Sequence, residues 1–131
     1  MRRVVDTSAW IEWLANTPTA GLIADKLPAP DEWLVPTIVQ LELAKWVWRE
    51  LAPDHAQEVL ASSSKCLVAP LDTDLALASA EACRRFRLST ADAIVYATAR
   101  AEGADLLTCD GHFKGLPDVV LVEKAGAGSA G

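Results

Sequence analysis

The sequence predicts an α/β fold, a three-layer α/β/α arrangement around a short-stranded parallel sheet. Three observations support it. Strand-like and helical patterns alternate along the whole chain. The strand-like runs are short and apolar, without polar alternation, as in Val4-Val5 and Val119-Val120-Leu121-Val122, which suits strands buried on both faces. No internal repeat or linker interrupts the alternation, so the connections should be right-handed crossovers within one sheet.

The elements follow in order from local signals. Residues 3–6 read as a buried strand. Residues 8–16 read as a helix carrying Trp10, Ile11, Trp13 and Leu14, with Ser8 the better placed cap. A short helix is expected over residues 19–27, ended by Pro28 and Pro30, and a short strand over residues 33–35. Pro36 suits the first turn of a long helix reaching about Leu51. Pro53 breaks that helix, and another follows to about Ala61. Residues 66–69 read as a strand stopped by Pro70. Asp72 is a good cap for a helix to about Phe86, and Ser89 for one ending at Gly103, which suits the left-handed position after a helix. Residues 104–109 and 119–122 are the last strands. The Ala/Gly/Ser-rich stretch over 125–131 is expected to be a disordered tail, leaving one domain over 1–124.

Composition narrows the function classes. With 131 residues, 51% apolar and 23% charged, the chain can bury a core of its own. No apolar run approaches the ~18 residues of a membrane span, and Met1-Arg2-Arg3-Val4-Val5-Asp6 reads as a strand rather than a signal peptide. Cys66, Cys83 and Cys109 are odd in number and widely spaced, which suits buried thiols in a reducing cytoplasm. His55 and His112 are too few and too far apart for a recognisable zinc site. The net charge of −6 argues against an open, non-specific nucleic-acid binder, although four acids set aside as a metal site would leave the rest nearly neutral. Basic residues cluster at Arg84, Arg85 and Arg87, with Lys114 further on.

Those four acids are Asp6, Glu42, Asp92 and Asp110. Asp6 closes the first strand and Asp110 follows the strand over 104–109. In a parallel sheet they would share the carboxyl edge, where open α/β folds bind ligands. Each also has an ordinary explanation. Asp6 can cap a helix. Glu42 lies between Leu41 and Leu43 on a stripe with Ile38 and Trp46, where it can reach solvent, Lys45 or Arg49. Ser89-Thr90-Ala91-Asp92 matches a capping box with Asp in place of the usual Glu. Asp110-Gly111 is a common turn pair. Thr108 should share a strand face with Asp110, where its hydroxyl can orient that carboxylate or hold a metal-bound water. Gathered together, the carboxylates would repel unless a cation neutralised them, which points to Mg²⁺ or Mn²⁺ and phosphate chemistry.

The order Asp6-Thr7-Ser8-Ala9, an isolated Glu42, Ser89-Thr90-Ala91-Asp92-Ala93-Ile94 and Leu107-Thr108-Cys109-Asp110-Gly111-His112-Phe113 resembles the PIN-domain nucleases. Among them it most resembles the small VapC-type toxins of toxin–antitoxin pairs, over residues 3–122. The resemblance implies an Mg²⁺- or Mn²⁺-dependent endoribonuclease, a homodimer, and an antitoxin that blocks the site. It implies Asp6, Glu42, Asp92 and Asp110 as the acidic quartet, with Ser8 and Thr108 as supporting hydroxyls. Magnesium takes only one or two carboxylates directly, and Asp6 and Asp92 are the expected ligands. Arg84, Arg85, Arg87 and Lys114 are the candidate RNA contacts. The chain departs from the pattern in its five tryptophans, of which Trp46 and Trp48 cannot share one helix face.

Other readings fit less well. A receiver-type signalling domain would want an acidic pair after the first strand and an Asp after the third. A haloacid-type phosphatase would want an Asp where Ser8 stands. A non-catalytic protein-binding module, with the acids as caps and turns, is the remaining alternative, and divalent-metal titration separates it from a nuclease.

Overall fold

A computed structural model describes residues 1–124 of the chain; the expected tail over 125–131 lies outside the described residues. Five short strands form one parallel sheet in the order β3-β2-β1-β4-β5. They are β1 (Arg3–Val5), β2 (Trp33–Pro36), β3 (Leu67–Ala69), β4 (Asp105–Thr108) and β5 (Val119–Leu121). Six helices connect them: α1 (Thr7–Leu14), α2 (Ala20–Ala24), α3 (Thr37–Glu50), α4 (Pro53–Ser64), α5 (Thr73–Phe86) and α6 (Thr90–Ala101). The α/β fold class expected from the alternation is the one observed.

The chain steps from β1 to β2 to β3 in one direction, then returns past β1 to reach β4. Right-handed crossovers therefore put α1–α4 on one face and α5–α6 on the other. The strand order reverses beside β1, which makes the carboxyl ends of β1 and β4 the switch point where such sheets hold ligands. Val4, Val5, Leu106 and Leu107 are fully buried, so the central strands are clamped between the two helical layers. Each such side chain contributes about 2 kcal/mol by leaving water.

Several boundaries differ from expectation. α1 begins at Thr7, so Ser8 lies inside its first turn and is not the cap. The second helix is only Ala20–Ala24, and a 3-10 turn at Pro30–Glu32 follows it. Pro36 ends β2, pairing in register with Ala69, and its extended backbone precedes α3 rather than opening it. The caps hold as expected. Asp72 accepts from the Leu75 N–H at 2.9 Å, and Gly103 takes a φ of 62° just beyond α6.

The tryptophans divide by burial. Trp10, Trp13 and Trp33 stack together with centroids 4.7–6.0 Å apart. Trp46 packs against the core, whereas Trp48 on the same helix is 70% exposed.

Candidate functional site

The site grows out of the pairing between β1 and β4. Val5 sits in register with Leu107, and the Asp6 N–H continues the ladder onto the Leu107 carbonyl at 2.9 Å. The backbone of Asp6 occupies the cap position of α1, its carbonyl accepting from Ala9 and Trp10, but its side chain makes no cap bond. That carboxylate points elsewhere. Its Oδ2 accepts from Ser8 Oγ at 2.7 Å and from Thr108 Oγ1 at 2.8 Å.

The two hydroxyls lie 3.2 Å from each other, and each is also held by a backbone donor. Ser8 Oγ accepts the Cys109 N–H at 3.0 Å, and Thr108 Oγ1 accepts the Asp110 N–H at 3.0 Å. With backbone donors on their lone pairs, both turn their protons to Asp6. Thr108 thus orients the Asp6 carboxylate and the Asp110 backbone, not the Asp110 carboxylate that strand alternation suggested.

Asp6 is only 5% exposed. Burial pushes its pKa up to about 6; the Ser8 and Thr108 hydroxyls oppose that rise, and the charges of Asp92 and Glu42 add to it. Those charges reach Asp6 from two other elements, since Asp92 stands in the first turn of α6 and Glu42 on α3. Ser89 caps α6 by accepting the Asp92 N–H at 3.3 Å, as the capping pattern predicts. Glu42 pairs with neither Lys45 nor Arg49 among the described residues. Its Oε1 accepts from Thr7 Oγ1 at 2.9 Å, which ties α3 to the start of α1.

Asp110 closes the ring. Its Oδ1 caps a 3-10 turn at Gly111–Phe113 by accepting the His112 N–H at 2.9 Å. The same turn swings the His112 imidazole over the acids, with Nδ1 3.2 Å from Asp110 Oδ1 and 3.4 Å from Asp92 Oδ2. The four acids expected from sequence therefore lie about the switch point: Asp92 and Asp110 gather with His112, Thr108 links Asp6 to the Asp110 backbone, and the charges of Asp92 and Glu42 reach Asp6. Thr7 and His112 were missed. Thr7 was legible only as a capping-type residue. His112 has no zinc-type spacing with His55, and its signal in the sequence is its place two residues after Asp110.

The basic candidates lie outside this ring. Arg84 pairs with Glu81 on α5, and Lys114 with Glu123. Arg85 lies over the Phe86 ring at 5.1 Å, and Arg87 closes α5 in the left-handed conformation. None of them forms an ion pair with the four acids among the described residues. A cavity of about 500 Å³ between β2–β3 and α5–α6 is lined by none of the four acids either.

The donors suit a hard divalent cation. They are predominantly carboxylate oxygens, one of them on a nearly buried Asp6 whose hydroxyl bonds all fall on Oδ2. A parallel sheet with such acids at its switch point defines an α/β protein with an acidic carboxyl edge.

The chain belongs to the PIN domain family, whose model matches residues 3–119. Solved structures of similar fold include a toxin–antitoxin complex from Klebsiella pneumoniae, 22% identical, with a TM-score of 0.81 over 92% of this chain and 98% of that one. The sarcin–ricin loop cleaving toxin VapC20 of Mycobacterium tuberculosis is 23% identical, with a TM-score of 0.69 over 92% and 98%. VapBC2 of Rickettsia felis, bound to a promoter DNA fragment, is 17% identical, with a TM-score of 0.70 over 94% and 98%. No curated protein matches the sequence.

Proposed function

We propose that the protein is an Mg²⁺- or Mn²⁺-dependent endoribonuclease of the cytoplasm, the toxin of a toxin–antitoxin pair. The convergence of Asp6, Glu42, Asp92 and Asp110 on one sheet edge is the observation that carries this reading. An ionised Asp6, buried and under the charges of Asp92 and Glu42, is costly to hold without a cation to neutralise it.

In this reading Asp6 and Asp92 hold the ion, and Glu42 and Asp110 fix its remaining surroundings. Ser8 and Thr108 keep the Asp6 carboxylate aimed. The ion, when bound, would activate water for attack on phosphorus and offset charge on the leaving oxygen. Arg84, Arg85, Arg87 and Lys114 would draw the RNA backbone towards the acids. Cys109 is an unsuitable nucleophile, because burial pushes its thiol up to about 11.

The toxin role and an antitoxin partner are supported by family membership and by the toxin–antitoxin complexes that share the fold, and the homodimer is proposed on the family resemblance alone. The RNA substrate is supported by the RNA-cleaving toxin among them. The test is cleavage of purified RNA with Mg²⁺, Mn²⁺ or EDTA. Cutting should require the metal and vanish in Asp6→Asn with the fold intact; cutting that persists in EDTA would remove the proposal.

A further inference from the structure

His112 lies on the rim of the acids and has no part in the function just proposed. Its ring is 77% exposed, so core packing does not explain its position. Two rigid pieces set its distance from the acids instead. The 3-10 turn fixes the ring against Asp110, whose Oδ1 already holds the His112 backbone N–H at 2.9 Å. The capped first turn of α6 supplies Asp92 from the other side.

One nitrogen and two carboxylate oxygens, from Asp92, Asp110 and His112, all lie within 4.8 Å of one another. Six-coordinate ions with ligands at about 2.1 Å place adjacent donors about 3 Å apart and opposite donors about 4 Å apart. The separations of 3.2 and 3.4 Å from Nδ1 to the two oxygens therefore match neighbouring corners of one coordination sphere. Nδ1 is the nitrogen turned towards the two carboxylates.

We infer that His112 completes a mixed nitrogen–oxygen metal site with Asp92 and Asp110, which biases the centre away from Mg²⁺ towards a transition-metal divalent cation. An all-oxygen set suits magnesium, whereas an imidazole strengthens binding of transition metals and contributes little to magnesium. Asp92 is shared between this set and the buried Asp6, so the bias acts on the proposed catalytic centre itself. The inference rests on the metal-dependent reading above and adds to it the ligand that selects the ion.

The chain has two histidines, which makes the assignment clean. Mn²⁺ serves as the probe, read by pulsed electron paramagnetic resonance on protein labelled with ¹⁵N-histidine. Nitrogen coupling to bound Mn²⁺ is expected in the unmutated protein and in His55→Ala, and its loss in His112→Ala. Calorimetric titration should show Mn²⁺ affinity falling about tenfold or more in His112→Ala while Mg²⁺ affinity changes by less than about twofold. Circular dichroism checks the fold, which the exposed position should leave unchanged. Mn²⁺ that binds without nitrogen coupling, or coupling that survives His112→Ala, overturns the role of His112 and leaves the nuclease reading standing. If neither Mn²⁺ nor Mg²⁺ binds the unmutated protein, both fall together.

Discussion

Asp6 serves two opposed demands, burial for the fold and charge for the site. Its pKa is pushed up from 3.8 to about 6, so without metal the folded state holds this proton more tightly than the unfolded chain does. The stabilising contribution is then complete below about pH 4 and is lost as pH rises through about 6. At pH 8 the ionised, unneutralised carboxylate destabilises the metal-free fold. Asp6→Asn should accordingly raise the melting temperature in EDTA at pH 8, by up to roughly 3 kcal/mol in stability, and bring no gain near pH 4. An equal gain at both pH values would show that ionisation is not the cause. Thr108→Val keeps the shape of the side chain but removes a donor to Asp6 and strands the Asp110 N–H. It should lower stability by about 1–3 kcal/mol and weaken metal binding about 10–100-fold, measured by denaturant unfolding and calorimetry.

Among the elements, two helix caps make a matched pair. Asp72 caps α5 and Ser89 caps α6, each by accepting one backbone N–H in the first turn. Removing either with alanine should cost about 1 kcal/mol. Only Ser89→Ala should also weaken metal binding, because the donor it releases belongs to Asp92. If Asp72→Ala weakens metal binding equally, cap loss acts through general loosening instead. These caps were readable in the sequence because each sits directly before a helical pattern and needs only local chemistry. The proline-rich stretch from Pro28 to Pro36 was less readable. Its 3-10 turn has no helical periodicity, and Pro36 stays extended because it pairs with β3. α2 was overestimated because the bonds beyond it tighten to three-residue turns, Lys26 N–H to the Ile23 carbonyl and Leu27 N–H to the Ala24 carbonyl, which do not extend the α-helix.

For the whole molecule, the site could be anticipated residue by residue, yet its coherence depends on strand order. Asp6 and Asp110 share an edge because β1 and β4 pair in parallel, which short apolar runs suggested. Nothing local announced that Thr7 would meet Glu42 or that His112 would face Asp92, since both contacts depend on how separate elements pack. Metal binding should stabilise the whole fold, by about 2.7 kcal/mol at a concentration one hundred times Kd, and EDTA should reverse the gain in a thermal melt. Neutralising Arg84, Arg85 and Arg87 should flatten the salt dependence of RNA binding; an unchanged slope would exclude them as phosphate contacts. The left-handed turn at Arg87 has one more consequence, because it separates the chain into two complementary halves. Asp6 and Glu42 precede it and Asp92 and Asp110 follow it, so either fragment carries only half of the carboxylates. A protein severed there would carry half of the acids on each piece and would regain its centre only when β4 slots back beside β1, an engineered split protein restored by reassembly.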